Sequence, residues 1–248
     1  MMLQDKVAVI TGSSSGIGRA IALLFAKNGA NVVLCSNSSH IEGENVLSEI
    51  KKYGGNCKYY SSDLRSESGV RQLFDQVKKD FGVVDILVNN AGRTFNVPFE
   101  QIGEDSFLND IETNLLSTVL CSKYAVPLMK HENGWIVNTS SIRGFEHTGR
   151  PGIIGYSAAK AGVNSFTKNL AYHLAPHIFV NAIAPGFVHT NYIDKMDKQT
   201  LDEWIKNIPI GRLINPDEIA QVYLLLSTSK IFSGSIVIAD GGYGILGR

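Results

Sequence analysis

The 248-residue sequence predicts an open, doubly wound α/β fold, in which helices cover both faces of a mainly seven-stranded parallel sheet. Two observations support this prediction. Seven short runs rich in apolar and β-branched residues recur along the chain, and most are continuous rather than alternating, which is typical of strands buried on both faces. Segments with apolar residues at helical spacing separate these runs, as expected for a succession of βαβ units.

Each apolar run has the length of one strand, and helical segments lie between the runs. The predicted strands are Val7–Ile10, Val32–Cys35, Cys57–Tyr60, Val84–Val88, Trp135–Val137, Phe179–Ile183 and Ile236–Ala239. The first helix carries apolar residues at helical spacing from Ile17 to Phe25 and ends at the C-terminal signal Asn28-Gly29. The other helices are predicted over about residues 41–53, 67–81, 104–130, 156–175 and 216–227.

Composition and charge exclude several classes of function. The chain has 23 basic and 23 acidic side chains and no long run of Lys or Arg, so it lacks the electrostatic footprint of a nucleic-acid-binding protein. No uncharged apolar run approaches the roughly 20 residues that span a bilayer, and the first residues show no signal-peptide pattern. We therefore expect a cytoplasmic protein that binds a small molecule and has neither nucleic acid nor a membrane as partner.

The domain organisation is predicted to be simple. No linker, repeat or low-complexity stretch marks a boundary, so we expect one domain over residues 1–248. Only the segment at about residues 188–210 breaks the alternation of strand and helix, with a polar stretch followed by the amphipathic pattern of Leu201–Ile208. We interpret this segment as a lid over a ligand site.

A glycine-rich turn, Thr11–Gly18, follows the first predicted strand and opens the first helix. Its glycines permit a tight turn and a close approach of the backbone to a pyrophosphate, and the helix N-terminus offers free N–H groups to the anion. No Lys follows the glycines as it does in a P-loop, which disfavours an NTPase. The turn therefore predicts a dinucleotide site, although a plain strand-to-helix turn is the alternative.

Tyr156 and Lys160 lie four residues apart in a predicted helix, which places the phenol and the ammonium on one face. An ammonium close to a phenol favours the phenolate and lowers a pKa that is ordinarily about 10. A tyrosine tuned in this way exchanges a proton with an alcohol or carbonyl oxygen near neutral pH. The pair is a candidate acid/base site, with an ordinary surface pair as the alternative.

Polar residues also lie where two central strands end. Asn89–Gly92 closes the fourth predicted strand, and Ser141 follows the fifth. The carboxyl ends of the strands face the ligand crevice in a doubly wound sheet. Ser141 is therefore placed where it could contact a substrate oxygen.

Together with Asn114 and the Pro185-Gly186 turn, these motifs occur in the order and near the spacing of the classical short-chain dehydrogenase/reductase family, which the sequence resembles from Lys6 to Gly242. The resemblance implies a Rossmann-type fold and an enzyme that interconverts a carbonyl and a secondary alcohol by hydride transfer with NAD(P)(H). It also implies a homotetramer or homodimer built on the helices at about 104–130 and 156–175 and on the carboxyl-terminal strand.

The resemblance further implies a catalytic tetrad of Asn114, Ser141, Tyr156 and Lys160. Tyr156 would be the general acid in reduction and the base in oxidation, and Ser141 would hydrogen-bond the reacting oxygen. Lys160 would bind the nicotinamide ribose and lower the pKa of Tyr156. Asn114 would hold a water molecule that links Lys160 to bulk solvent.

The cofactor contacts implied by the resemblance fall into three groups. The pyrophosphate side would be held by Gly12, Ser14, Ser15, Gly16, Ile17 and Gly18. The adenine and its ribose would be contacted by Asp63, Leu64, Asn90, Ala91 and Gly92. The carboxamide half would meet Pro185, Gly186, Val188 and Thr190, with Val188 acting through its backbone.

Cofactor selectivity is expected at the end of the second strand, where a carboxylate would accept hydrogen bonds from the ribose and repel a 2′-phosphate. That position is Ser36, followed by Asn37 and Ser38, and none of the three carries a carboxylate. Hydroxyl and amide groups can hydrogen-bond a phosphate. We therefore predict NADP(H) in preference to NAD(H), bound there without a dedicated cation.

The substrate is less constrained by the sequence. Ser141 and Tyr156 are predicted to contact it together with Arg93 and Arg143, and the region is cationic because His147 and Arg150 lie nearby in sequence. Such a region favours an acidic or polyhydroxylated substrate, unless these side chains are solvated loop residues. Two subgroups remain open, the 3-oxoacyl-carrier-protein reductases and the sugar or polyol dehydrogenases. A catalytically silent NAD(P)-binding sensor is a third possibility.

No metal site is predicted. His173 and His177 lie four residues apart at the end of a predicted helix, but the sequence suggests no third ligand for a metal ion.

Overall fold

The computed structural model describes residues 1–37, 39–129, 133–146, 148–190, 193 and 196–246. Within these residues, seven parallel strands form one sheet in the order β3-β2-β1-β4-β5-β6-β7. The strands are β1 (Val7–Thr11), β2 (Asn31–Ser36), β3 (Lys58–Ser61), β4 (Ile86–Asn89), β5 (Gly134–Thr139), β6 (Ile178–Pro185) and β7 (Ile236–Ala239). The strand order reverses between β1 and β4, which opens a crevice at the carboxyl ends of these two strands. The predicted Rossmann-type fold class is confirmed.

Eight α-helices connect or follow the strands in the described part of the chain. They are α1 (Gly16–Lys27), α2 (His40–Lys51), α3 (Glu67–Phe81), α4 (Glu104–Ile111), α5 (Ser117–Ala125), α6 (Ile154–Leu174), α7 (Lys198–Lys206) and α8 (Pro216–Leu226). Among these helices, none combines the length and hydropathy that a membrane crossing requires.

The central strands are buried on both faces, and their side chains alternate between two apolar layers. Ala8 and Ile10 of β1 pack in the layer beneath α1, α2 and α8, whereas Val7 and Val9 pack in the layer beneath α3 and α5. This burial explains why the strands read as continuous apolar runs in the sequence.

One helix departs from the prediction. The expected continuous helix over residues 104–130 is interrupted by a π-helical turn, Glu112–Leu116, between α4 and α5, and it ends in a 3₁₀ turn, Val126–Leu128. The Ser117 N–H bonds to the Glu112 carbonyl, five residues back instead of four. This π-helical turn bears on the site because it contains Asn114, which is fully buried.

Candidate active site

The glycine-rich turn between β1 and α1 is packed directly against the end of β4. Gly12 and Gly16 have φ angles of +64° and +51°, which favour glycine, and a Cβ at Gly12 would lie 2.8 Å from the Ala91 Cα. A Cβ at Gly18 would lie 2.2 Å from the Gly12 carbonyl oxygen. The backbone is therefore closely approached at both positions, and side chains are excluded.

Hydrogen bonds join this turn to the residues that follow β4. Thr11 Oγ1 accepts from the backbone N–H groups of Asn90 and Ala91, each at 2.9 Å. The Asn90 side-chain amide donates to the carbonyls of Thr11 and Gly12, each at 3.1 Å. The two motifs that the sequence placed far apart thus form one structural unit at the crevice.

A cavity of about 450 Å³ opens above this unit. Its described lining consists of Gly12, Ser15, Gly16, Ile17, Asn90, Gly92, Arg93, Thr94, Asn114, Thr139, Tyr156, Lys160 and Thr190. The first N–H groups of α1 have no intrahelical partner. They form the positive end of the helix dipole, which lies at this cavity. A turn whose glycines leave the backbone open to close approach, with free N–H groups, fits a pyrophosphate, so the residues present suit a dinucleotide.

Lys160 and Asn114 are buried at the far side of this cavity. Lys160 Nζ donates to the Thr139 carbonyl at 2.7 Å, and burial lowers the pKa of its ammonium to about 8. The Asn114 amide donates to the carbonyls of Arg93 and Asp110, at 2.9 and 3.1 Å, and its Oδ1 accepts from the Arg93 N–H at 3.0 Å. The Asn114 side chain therefore holds the loop after β4 through two bonds to the Arg93 backbone, and its other N–H bonds to α4.

Tyr156 is half-buried and lines the same cavity. Burial raises the pKa of its phenol above the ordinary value, while hydrogen bonds from Ser141 and Thr94 and the charge of Arg143 act to lower that pKa. Lys160 Nζ lies 5.7 Å from the Tyr156 ring centroid. The Lys160 ammonium is directed to the Thr139 carbonyl, and the charge of Arg143 acts on the phenol. The effect of Lys160 on the pKa of Tyr156 stays a prediction.

A second cavity of about 240 Å³ lies beyond Tyr156. Its described lining consists of Ile17, Thr94, Thr139, Ser140, Ser141, Ile142, Arg143, Arg150, Ile153, Tyr156, Pro185, Gly186, Phe187, Val188, Thr190, Ile193 and Trp204. Ser141 Oγ accepts from the Arg143 N–H at 3.1 Å and also hydrogen-bonds the Tyr156 side chain. Because Tyr156 borders both cavities, its hydroxyl can act on reactants held in either one.

The turn after β6 lines the smaller cavity and is held by a short bridge. The Ile214 N–H donates to the Phe187 carbonyl at 2.9 Å, and the His189 N–H donates to the Ile214 carbonyl at 2.9 Å. The peptide groups of Val188 therefore point away from Ile214. Thr190 lies against the glycine-rich turn, since a Cβ at Gly16 would be 3.2 Å from its Cγ2.

Of the residues predicted to contact the adenosine end, Asn90 and Gly92 line the larger cavity, whereas Ser36, Asn37, Asp63 and Leu64 are not among the described lining residues of either cavity. Ser36 Oγ is 2.9 Å from the Tyr59 hydroxyl, and Asn37 is exposed. The Asp63 carboxylate pairs with Arg65 at 2.7 Å, which lowers the pKa of that carboxyl. Leu64 is buried in the apolar layer beneath α3. Ser38 and His147, as well as residues 191, 192, 194 and 195 of the predicted lid, lie outside the described residues.

Two predicted substrate contacts have different surroundings. Arg143 lines the smaller cavity, whereas Arg93 is exposed and lines the larger one, with its guanidinium 5.3 Å from the Phe95 ring centroid. The aromatic residues Phe187 and Trp204 of the smaller cavity were not predicted. Trp204 belongs to the amphipathic segment read as a lid, and its position on that segment's apolar face is the signal that could have identified it.

Comparisons with known proteins agree with this arrangement. A family model described as enoyl-(acyl carrier protein) reductase matches residues 12–244. A 3-oxoacyl-(acyl-carrier-protein) reductase of Thermotoga maritima is 37% identical, covering 98% of this chain and 99% of the relative. A 3α-hydroxysteroid dehydrogenase of Mediterraneibacter gnavus is 34% identical, covering 97% of this chain and 98% of the relative. Among solved structures, a short-chain dehydrogenase/reductase variant of Serratia marcescens matches with a TM-score of 0.93 at 30% identity, covering 98% of this chain and 100% of that chain.

Proposed function

Because the chain belongs to the short-chain dehydrogenase/reductase family, whose enzymes interconvert carbonyls and alcohols with a nicotinamide cofactor, we propose that it reduces the ketone of a 3-oxoacyl thioester with NADPH. One observation carries the proposal. Tyr156 borders both a cavity suited to a dinucleotide and a smaller cavity that also contains Ser141. A proton donor is thus available where the contents of the two cavities meet.

The proposed cofactor contacts lie around the larger cavity, on the turn after β6 and at the adenosine end. They are Gly12, Ser14, Ser15, Gly16, Ile17, Gly18, Asp63, Leu64, Asn90, Ala91, Gly92, Tyr156, Lys160, Pro185, Gly186, Val188 and Thr190. A bound nicotinamide supplies the hydride for reduction. Lys160 would bind and orient its ribose, because the buried ammonium has donors beyond the one used for the Thr139 carbonyl.

Tyr156 and Ser141 are the proposed catalytic residues. The Tyr156 hydroxyl donates its proton to the carbonyl oxygen as that oxygen gains negative charge, and the Ser141 hydroxyl hydrogen-bonds the same oxygen. The raised pKa of Tyr156 keeps the phenol protonated near neutral pH, as the role of acid in reduction requires. Asn114 is a positioning residue that fixes the loop beneath Lys160.

The relatives and the size of the smaller cavity favour a small acyl substrate. The Thermotoga relative is named as a 3-oxoacyl reductase. The cavity of about 240 Å³ is below the range of about 300–1,000 Å³ usual for drug-sized ligands, which favours a small acyl group. A sugar or polyol remains the competing substrate class, and both classes enter the test below.

The test measures NADPH oxidation with acetoacetyl thioesters, simple ketones and sugars. Tyr156→Phe removes the proposed proton donor and is expected to lower kcat about 10²- to 10⁴-fold. Tyr172→Phe is the matched control, because Tyr172 lies on the same helix and is 90% exposed. An undiminished rate in Tyr156→Phe would reject the acid role. A wild-type protein that binds NADPH but turns over no compound in the panel would favour the silent sensor.

We also propose that the enzyme prefers NADP(H) to NAD(H). The end of β2 carries Ser36 and the exposed Asn37, and neither repels a 2′-phosphate. Ser36→Asp introduces a carboxylate there and is expected to lower the ratio of kcat/KM for NADPH over that for NADH by at least about tenfold. Asn37→Arg is expected to raise the same ratio. A wild-type ratio well below one would contradict the preference.

Two larger-scale expectations belong to the same proposal. Residues 188–210 act as a lid, since α7 of this segment places Trp204 against the smaller cavity. The chain forms a homotetramer or homodimer, which would cover apolar side chains near the carboxyl-terminal strand. Exposed residues there include Ile231 and Ile245, at 86% and 83%.

A further inference from the structure

The smaller cavity contains two arginines, Arg143 and Arg150, and none of its described lining residues carries a carboxylate. Both arginines are half-buried. In the described part of the chain, the ion pairs join other cations, such as Arg65 and Arg212, to acidic partners at the surface. The described lining of the cavity therefore carries positive charge in a protein whose formal net charge is zero.

Arg143 is held in place on the side of the reacting group. Its Nη1 donates to the Thr148 carbonyl at 2.6 Å, and its guanidinium carbon lies 5.6 Å from the Phe187 ring centroid and 5.5 Å from that of Tyr243. Its charge also acts on Tyr156. The guanidinium is thus fixed by aromatic rings and one backbone carbonyl, close to the proposed proton donor.

Arg150 is held in a similar way on the side of α7. Its Nη2 donates to Asn96 Oδ1 at 2.9 Å, and its guanidinium carbon lies 5.8 Å from the Trp204 ring centroid. The Trp204 and Phe187 rings contact each other at 4.8 Å between centroids. The two arginines therefore lie on the two members of one aromatic pair that lines the cavity.

This arrangement has a cost that an anion would remove. Two guanidinium groups that border one small cavity repel each other, and the low dielectric of an apolar lining strengthens that repulsion. Each guanidinium has five N–H donors. In each of the two, one nitrogen donates a hydrogen bond to a described residue. The remaining donors match the planar geometry of a carboxylate.

We infer that the substrate carries a carboxylate a few atoms from the reacting carbonyl, and that Arg143 and Arg150 bind this carboxylate. The inference rests on the proposed ketone reduction and specifies a charged group that its substrate carries. Because the cavity measures only about 240 Å³, the acyl group is short. The substrate is then either a short 3-oxo acid or a 3-oxoacyl thioester whose acyl chain ends in a carboxylate.

The test compares acetoacetate with its methyl ester, which has the same ketone and no charge. The wild-type enzyme is expected to show a kcat/KM for the acid at least about tenfold above that for the ester. Arg150→Met is expected to reduce kcat/KM for the acid far more than for the ester, mainly through KM. Arg150→Lys is expected to restore part of the preference, because it keeps the charge.

Arg71→Met, an exposed position on α3, is the matched control and is expected to change neither rate. Affinity for NADPH reports on correct folding, because Arg150 does not line the larger cavity. A monothioester of 3-oxoglutarate is also compared with the neutral acetoacetyl thioester of the same thiol. A higher kcat/KM for the charged thioester indicates that the substrate is a thioester whose acyl chain ends in a carboxylate, whereas a preference for acetoacetate alone indicates a free acid. A kcat/KM for the methyl ester equal to that for acetoacetate would overturn the inference. An equal fall in kcat/KM for both compounds in Arg150→Met would also overturn it.

A binding measurement separates this inference from the proposed reaction. Acetoacetate and its methyl ester are titrated calorimetrically into the protein in the presence of NADP⁺, where the ketone is not reduced. Tighter binding of the acid, lost in Arg150→Met, supports the anion site even if no turnover is seen, and turnover failure then counts only against the proposed reaction. Equal affinities for acid and ester refute the anion site.

Discussion

Two charged side chains act on the Tyr156 phenol in opposite directions. The Arg143 charge lowers the pKa of the phenol, and the Asp110 charge raises it. Asp110 is only 3% exposed, and its Oδ1 has no hydrogen-bond partner among the described residues. A buried carboxylate without full hydrogen bonding is costly, and burial accordingly raises the pKa of Asp110.

Asp110→Asn is predicted to stabilise the protein and to shift its pH profile. The folded-state pKa of Asp110 lies above the unfolded value, so the wild type loses stability as pH rises from the ordinary aspartate range through that raised pKa. Removing the buried charge is expected to increase the unfolding free energy by about 1 kcal/mol, or Tm by about 2–4 °C, at about pH 8. The gain shrinks towards about pH 4, where the carboxyl becomes protonated.

The same variant reports on Tyr156. Loss of the Asp110 charge lowers the pKa of the phenol, so the pH dependence of kcat moves to lower pH. Asp75→Asn, an exposed position in the interior of α3, is the control and is expected to shift neither Tm nor the profile. A lower Tm for Asp110→Asn at about pH 8 would show that the carboxylate is stabilised by contacts of its own.

At this scale, the sequence predicted the residues whose positions follow from local geometry. The spacing of Tyr156 and Lys160 on one helix face and the strand-end position of Ser141 depend only on regular secondary structure. Asp110 was not recognised as a member of the site, and Arg150 was predicted only as part of a cationic region near the substrate, because their contacts depend on how loops and helices pack. Nothing in the spacing reveals that Asp110 is buried or that Arg150 lies on Trp204.

At the scale of elements, the turn between β1 and α1 is the most constrained feature of the site. It is fixed by hydrogen bonds between Thr11 and Asn90 and by the absence of side chains at Gly12 and Gly18. The predicted turn therefore depends on the loop after β4 for its shape. A substitution in this turn or in the loop after β4 should weaken cofactor binding before it destabilises the sheet.

Gly18→Ala is predicted to weaken NADPH binding strongly. The added Cβ would lie 2.2 Å from the Gly12 carbonyl and 2.6 Å from the Asn90 amide nitrogen, so the turn has to move. We expect the Kd for NADPH to rise at least about tenfold and Tm to fall by several degrees, since overpacking costs about 1–3 kcal/mol. Gly103→Ala, where a Cβ would meet nothing within 4 Å, is the control. Unchanged NADPH binding in Gly18→Ala would contradict the close-packed turn.

Element prediction succeeded where burial alone sets the pattern and failed at the π-helical turn. The apolar residues on either side of Glu112–Leu116 continue a helical pattern, so one additional residue in a turn leaves no clear signal in the sequence. The turn is instead stabilised by tertiary hydrogen bonds from Asn114 to the Arg93 backbone. Such bonds form only when the loop after β4 packs against the helix.

At the scale of the whole molecule, the strand order explains why distant motifs form one site. β1, β4, β5 and β6 are adjacent, and the catalytic and cofactor candidates follow their carboxyl ends or lie on the helices beside them. The alternation of strand and helix predicts this sheet because right-handed crossovers leave few other topologies. The substrate preference is not fixed at this scale, since it depends on side chains of the loops that cross the crevice.

The sheet also has an edge whose composition favours self-association. Within the described residues, β7 is the last strand, and its Ile238 is 47% exposed close to the sheet edge. Apolar residues on an unpaired edge are ordinarily covered by another element or another chain. By contrast, the opposite edge, β3, carries Lys58, which pairs with Asp80. The composition of the two edges therefore predicts that a second copy covers β7 and leaves β3 exposed.

Ile238→Lys is accordingly predicted to reduce the oligomeric state. A lysine on β7 places a charge in the apolar contact between copies, and burying an unpaired charge is strongly unfavourable. Sedimentation equilibrium should show a wild-type mass that is a multiple of 27.0 kDa and a smaller species for the variant. Ile41→Lys, the same change at a residue 74% exposed on α2, is expected to leave the mass unaltered. A wild-type monomer would refute the association, and loss of mass in both variants would move the contact away from β7.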